Sequence, residues 1–359
     1  MSRRSTKIVK AALSALHYTG VGDFIAPITG GTGVIFMLHR VSPDKPRAFE
    51  PNRILMVTPT FLERVITDVR AAGFDIVPMD DVPERLKNGD ATRPFAVFTL
   101  DDGYRDNLVN AYEVFKRQQA PFTIYVPTDY ADGRGDLWWL TLEEAIARLS
   151  AIALNMGGID RTFSLVTPDQ KDAAFHQIYW WLRSLPEDRA RAITHRLAAQ
   201  AQFDPFKFCR QLVMTWDEVK TLARDPVVTI GAHTIGHYAL AKLSVSEVQR
   251  EIADSMARLS NELGKPCRHF SYPYGCESSA GEREFEIARD AGVLTAVTTR
   301  KGLLHARHKS ELTALPRLSL NGDYQDMRYV KALLSGAPFA LLNAAQRMIP
   351  TRTKDAAQS

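Results

Sequence analysis

Apolar residues in this chain gather in short continuous runs, separated by stretches where they recur every three or four positions. The runs are VIFMLH (Val34–His39), FAVFTL (Phe95–Leu100), FTIYVP (Phe122–Pro127), VVTIGAH (Val227–His233), HFSYPYG (His269–Gly275) and LTAVTT (Leu294–Thr299). Continuous rather than alternating, they fit parallel strands buried on both faces. Between them, helical spacing predicts helices over 58–72, 107–119, 246–263 and 282–291. The third opens with Ser246 and Gln249 as a capping box and closes on Gly264. Strands alternating with helices predict an α/β fold with a parallel sheet.

One stretch breaks the rhythm. Residues ~136–226 read as mostly helical, rich in Ala, Arg and Gln, and contain LWWLTLEEAIARL and IYWWLRSL. The pattern predicts a helical insertion in one loop of the fold rather than a separate domain. Residues 1–30 read as an amphipathic N-terminal segment, 31–335 as the main domain, and 336–359 as a C-terminal helix and tail. The basic start, MSRRSTKIVKAALSALHYTG, lacks the sustained apolar core of a signal peptide and is read as a short helix, packed on the domain or touching a membrane surface through its basic face. No run approaches the ~20 apolar residues of a membrane span. The location expected is the cytoplasm or the periphery of the inner membrane face, with export left open.

Composition narrows the function classes. The 359 residues are 45% hydrophobic and 24% charged, ordinary for one large barrel or two smaller domains. The 45 Lys and Arg exceed the 41 Asp and Glu by only four, and no basic cluster interleaves with aromatics, which argues against a nucleic-acid partner. Cys209, Cys267 and Cys276 form no CxxC pair, which argues against a disulfide framework or thiolate zinc site.

The candidate chemistry sits where the apolar runs end. In FTLDDG, Asp101 and Asp102 follow the run Phe95–Leu100, and Gly103 lets the backbone turn sharply. In a parallel α/β barrel this is the end at which active sites are built. Two adjacent carboxylates there can divide labour, one holding a metal and the other serving as a base. In TIGAHTIGH, His233 and His237 follow another run four residues apart, a spacing that lets both imidazoles face one side. Two histidines and one carboxylate leave coordination positions open, as in a catalytic divalent site. FSYPYG reads as a rigid loop able to aim a backbone N–H and an aromatic wall at a substrate. Trp138, Trp139 and Trp216 are candidates either for stacking on sugar rings or for packing the insertion.

FTLDDG, HTIGH and FSYPYG, in that order, resemble the motifs of the polysaccharide deacetylases, carbohydrate esterase family four, over about Val34 to Leu320. The resemblance implies a deformed, TIM-like (β/α) barrel of seven or eight strands carrying the helical insertion. It implies metal-dependent removal of acetyl groups from a glycan, with N-acetylglucosamine oligo- or polysaccharides as the expected partner. Zinc is the expected metal, with cobalt, nickel and manganese as alternatives. Carried over by motif, Asp101 is the general base, Asp102, His233 and His237 are the metal ligands, and the Tyr274 N–H serves the oxyanion site. The usual late L-x-H motif for the general acid is not evident. His39, closing the first run, resembles the acid histidine of the permuted poly-N-acetylglucosamine deacetylase-like branch, and His305 and His308 are the alternatives. Ser271 stands where the third motif often has the arginine that orients the catalytic base. Arg317, in LPRLSL, is the candidate to supply that charge instead and is grouped with Tyr274 at the oxyanion and substrate site, or else makes an ordinary ion pair. A catalytically silent carbohydrate binder and an amidase on a small non-sugar amide are the competing functions.

Overall fold

The computed structural model describes residues 3–88 and 93–348. Seven strands form the barrel: β1 (Gly33–Leu38), β2 (Phe95–Leu100), β3 (Phe122–Val126), β4 (Val228–Ala232), β5 (His269–Ser271), β6 (Thr295–Lys301) and β7 (Leu315–Ser319). They pair in chain order, all parallel, and β7 pairs with β1 while β1 pairs with β2, which closes the ring. A two-residue strand, Asp75–Ile76, pairs with the start of β2, whose second half pairs with β3. The α/β barrel expected from the sequence is therefore present, as seven strands and one extra.

Each strand is buried on both faces, so polarity does not reveal its alternation, but packing does. Val34, Phe36 and Leu38 of β1 and Ala96, Phe98 and Leu100 of β2 face the surrounding helices, among Leu62, Val65, Ile66 and Phe115. Ile35, Val97, Tyr125, Val297 and Leu315 instead meet one another inside the ring. Because strand side chains alternate with period two, the inward phase runs on through Thr99 to Asp101, through Gly231 to His233, through His269 to Ser271, and through Leu315 to Arg317. The register Leu38↔Leu100 continues this pattern and sets His39 level with Asp101, whose N–H donates to Leu38 O at 3.0 Å.

Helices cover the outside. Pro59–Ala71 is capped by Thr58, and Val245–Leu263 ends on Gly264 in the left-handed conformation. The capping box of the latter is Ser244 with Glu247, not Ser246 with Gln249. Two such boxes overlap in LSVSEVQ, and the earlier one holds because it offers a carboxylate to the exposed N–H groups. Over 107–119 the expected helix is split into a wide π turn, Asn107–Ala111, and a helix, Tyr112–Arg117.

The insertion lies between β3 and β4. Its main helices are Trp138–Arg148, Pro168–Ser184, Glu187–Gln200, Pro205–Leu212 and Trp216–Ala223, and its first four share a core including Leu142, Ile146, Phe175, Ile178, Ile193 and Leu197. It also holds a β-hairpin, Ala151–Asn155 with Asp160–Ser164, that the helical expectation missed. Gly157 and Gly158 make its turn with φ of 69° and 91°, the left-handed pair that suits the twist of a two-residue hairpin loop. At the chain ends, helices Arg3–Tyr18 and Val21–Thr29 pack with Met327–Leu334 and Ala337–Met348 into a cap on one side of the barrel. The expected tail beyond Met348 lies outside the described residues.

Candidate functional site

At the C-terminal rim of the barrel the inward phase delivers polar side chains into a cleft of about 710 Å³ lined by His39, Asp101, Asp102, His233, His237 and Tyr274, among others. The backbone there is unusual. Asp102, Thr234, His237 and Tyr274 have φ of 72°, 64°, 59° and 61°, in the region that side chains with a Cβ rarely adopt. Such strain persists only where surrounding contacts impose it, and it gathers at functional sites. Two glycines relieve the tightest points. Gly103 turns with φ 63°, and a Cβ on Gly275 would lie 2.5 Å from Thr299 N.

Asp101 is buried and held from behind by Arg317. The guanidinium donates to both carboxylate oxygens, at 2.8 and 2.7 Å, the bidentate geometry that best matches the two groups. Arg317 is itself fixed by bonds to Thr99 Oγ1, Ser271 Oγ and Thr298 O at 3.1, 3.1 and 2.8 Å. Burial alone would raise the Asp101 carboxyl, but the Arg317 charge and hydrogen bonds outweigh it and hold it below the ordinary carboxylate range. Asp101 is therefore ionised at neutral pH. Arg317 thus stands against the candidate base, the position expected of the charge that replaces the third-motif arginine, but its grouping with the oxyanion and substrate site is corrected: its side chain is fully enclosed beneath Asp101 and does not line the cleft. It bonds to Ser271, the residue at the third-motif position where an arginine was expected.

Asp102 turns away from Asp101 toward the histidines. Its Oδ1 lies 3.4 Å from His233 Nε2 and 3.2 Å from His237 Nε2. The angles close no hydrogen bond, so this buried oxygen has no donor. His233 Nδ1 lies 2.6 Å from Ser271 O, which fixes the proton there and leaves Nε2 as a lone pair facing Asp102. Burial pushes the His237 imidazole down, toward its neutral, ligating form. Two imidazole nitrogens and one carboxylate oxygen, all within 4.8 Å of one another, fit a divalent metal and leave further positions open. A buried carboxylate oxygen facing two nitrogens without a hydrogen bond is the observation that a cation would satisfy.

His39 borders the same cleft, with Nε2 4.0 Å from Asp101 Oδ2 and a fifth of its side chain exposed. His305 and His308 sit elsewhere. Leu304 bridges Gly33 at the start of β1, so these histidines lie at the opposite end of the barrel, roughly 20 Å away at about 3.3 Å per strand residue. The Tyr274 ring packs 4.9 Å from His237, its hydroxyl accepts from Trp138 Nε1 at 2.7 Å, and its N–H meets no acceptor among the described residues. Trp138 is thus a packing residue. Trp139 lines the cleft with its ring 4.9 Å from His237, while Trp216 lies on the outside, bonded to Asp132.

The insertion contributes more than the sequence suggested. Phe175, Tyr179 and Trp180 of helix Pro168–Ser184 wall the cleft. The Arg183 guanidinium lies over the Tyr274 ring at 3.6 Å. Arg191 donates to Gly236 O at 2.6 Å and His237 O at 3.3 Å, holding the strained histidine loop. Glu251, from the barrel's own helix, accepts from the N–H groups of Ile235 and Gly236 in that loop at 2.8 and 3.1 Å. The spacing of Phe175 and Tyr179, one helical turn apart, was the only sequence signal for the wall; nothing in spacing marked the two arginines.

Comparison with known proteins agrees with this geometry. The polysaccharide deacetylase family matches residues 163–296, which include both histidines and FSYPYG. None of the curated proteins matches. Among solved structures, the chain is similar to the Streptococcus pyogenes deacetylase PplD in complex with acetate, at 17% identity and TM-score 0.55 over 84% of this chain and 97% of that one. A de-N-acetylase from Aggregatibacter actinomycetemcomitans aligns at 13% identity and TM-score 0.53 over 84% and 99% of the two chains. BC0361, a polysaccharide deacetylase from Bacillus cereus, aligns at 14% and 0.52 over 84% and 68%. At such identities the structural likeness speaks for the fold alone. Over residues 163–296, and in the order of its motifs and the barrel that carries them, this chain is similar to the polysaccharide deacetylases.

Proposed function

We propose that the protein is a metal-dependent deacetylase that removes N-acetyl groups from glycans containing N-acetylglucosamine. The observation that carries this reading is the pairing of an ionised, immobilised Asp101 with the unsatisfied Asp102–His233–His237 cluster on the floor of one cleft. Asp102, His233 and His237 would hold the ion, with zinc the first choice and cobalt, nickel or manganese as alternatives. When bound, the ion supplies a Lewis acid and lowers the pKa of water.

The remaining work falls to side chains and backbone. Asp101 keeps lone pairs free of Arg317 and takes a proton from the attacking water. The free N–H of Tyr274 donates to the carbonyl oxygen as negative charge develops there. His39, across the cleft floor, delivers a proton to the departing amine, which is otherwise a poor leaving group. Trp139, Tyr179 and Trp180 offer aromatic faces for sugar rings. A silent carbohydrate binder has no use for a buried, ionised carboxylate beside the cluster, and this favours the enzyme.

The test is acetate release from N-acetylglucosamine oligomers by chelator-stripped protein reloaded with each metal. Release that needs metal and falls by about a thousandfold in Asp101→Asn, with metal binding kept, is the expected result. His233→Ala should lose both metal and activity. Tight metal binding with no release from any oligomer would sink the proposal.

A further inference from the structure

Surface helices ordinarily turn polar residues to solvent. The terminal cap does the reverse. On helix Arg3–Tyr18 the exposed positions include Ile8, Ala11, Ala12, Ala15 and Tyr18, spaced as one helical face. Helix Val21–Thr29 exposes Val21, Phe24 and Ile28 on one stripe, the latter two each 86% accessible. The adjoining helix Ala337–Met348 exposes Leu341 and Leu342. Ile8, Tyr18, Val21, Phe24, Ile28, Leu341 and Leu342 make up seven of the fourteen large apolar side chains exposed among the described residues. Concentrated apolar exposure of this kind marks a docking surface.

Charge on the same helices selects the partner. Residues 3–29 carry Arg3, Arg4, Lys7 and Lys10 against Asp23, and residues 327–348 carry Arg328, Lys331 and Arg347 with no acid. Arg328 is paired with Asp326 and Lys331 lies near Asp68, but Lys7 and Lys10 have no ion-pair partner among the described residues. No described helix is long and apolar enough to cross a membrane. An apolar stripe flanked by unpaired cations is the signature of a helix lying in an anionic lipid interface. We infer that the terminal cap docks on an anionic membrane surface, with Phe24 and Ile28 entering the acyl boundary and Lys7 and Lys10 facing the headgroups.

Docking sets the position of the site. Thr6, Lys7 and Lys10 of the same helix line the cleft that holds Asp101 and the metal cluster. The cleft mouth therefore opens beside the headgroups, where a glycan carried on a lipid tail presents its sugars. This consequence rests on the deacetylase reading, whereas the docking itself does not.

The experiment is co-sedimentation of the full chain with phosphatidylcholine vesicles containing about 30% phosphatidylglycerol, and with phosphatidylcholine alone. Binding should favour the anionic vesicles, weaken with salt, and fall at least about tenfold in Phe24→Asp/Ile28→Asp. The same variant should keep its unfolding midpoint and its acetate release from soluble oligomers, and lose release from an acyl-tailed oligomer held in the vesicles. Absence of sedimentation by the unaltered chain, or equal sedimentation of the variant, would overturn the inference. So would a stable dimer in light scattering that the two substitutions dissociate, since a second copy would then cover the face. Vesicle binding without acetate release from any substrate would defeat the deacetylase reading and leave the docking in place.

Discussion

In the barrel, side chains reach the site by strand alternation: Asp101, His233, Ser271 and Arg317 all continue an inward phase set by residues two and four positions earlier. In the insertion between β3 and β4, helices first bury a core of their own, and only a few residues at the edge of that core touch the site. Trp139, Tyr179 and Trp180 wall the cleft, while Arg183 and Arg191 brace Tyr274 and His237. The difference separates chemistry from recognition. The barrel's candidate reacting groups follow strands held by parallel hydrogen-bond ladders on both sides, whereas the insertion adjusts the surroundings of groups it does not supply. The two parts are also tied: Met214 N–H donates to Gly103 O at 2.9 Å, and Tyr104 bridges Val213, so the end of the insertion is fastened to the aspartate turn.

This contrast can be broken at four points. The largest effect is expected at Arg317. Arg317→Met leaves Asp101 buried without its counter-charge, which should cost about 3–5 kcal/mol in denaturant unfolding and lower acetate release by at least about a hundredfold. Normal stability in that variant would show that the barrel does not depend on the pair. Next is Arg191→Ala in the insertion, which frees the carbonyls of Gly236 and His237. Metal affinity, read by competition with a chelator, should fall about tenfold or more while the fold persists, as for groups that orient ligands from behind. An unchanged affinity would confine the insertion to substrate contacts.

A smaller effect is expected at Trp180, which is 62% exposed on the cleft wall. Trp180→Ala should leave stability within about 0.5 kcal/mol and raise KM for long oligomers with little change in kcat, the pattern of a lost ground-state contact. A fall in kcat with KM unchanged would place the wall in the chemistry after all. The smallest concerns Glu251. Burial raises its carboxyl above the ordinary value, an effect only partly offset by the N–H bonds from Gly236 and Ile235. The folded state then holds this proton more tightly than the unfolded one. Its contribution to stability therefore falls as pH rises from the ordinary glutamate value through the raised folded value. Glu251→Gln should flatten that slope in unfolding midpoints measured across mildly acidic pH, and an unchanged slope would assign it to another group.

Much of the barrel side was legible beforehand because its signals are local. Six apolar runs correspond to six strands, and paired aspartates or spaced histidines at run ends stand out against them. The insertion was legible only as helical texture. Its hairpin was hidden because Ala151–Asn155 and Asp160–Ser164 are mostly exposed and carry little apolar alternation, leaving the Gly157–Gly158 turn as the one clear mark. Arg183 and Arg191 looked like any surface arginine on a helix, since the aromatic ring and the carbonyls they meet lie far away in sequence.

By itself, the sequence determined the α/β alternation, the strand ends that carry chemistry, and the identities of Asp101, Asp102, His233 and His237 as its candidates, because strand burial and tight turns depend on neighbouring residues. Tertiary structure alone decided that Arg317 lies behind Asp101, that His39 rather than His305 or His308 borders the cleft, and that the insertion braces the histidine loop. Those relations join residues from 45 to more than two hundred positions apart, such as Arg191 with Gly236 and Asp101 with Arg317, and they exist only once the closed ring fixes which strand ends share a rim.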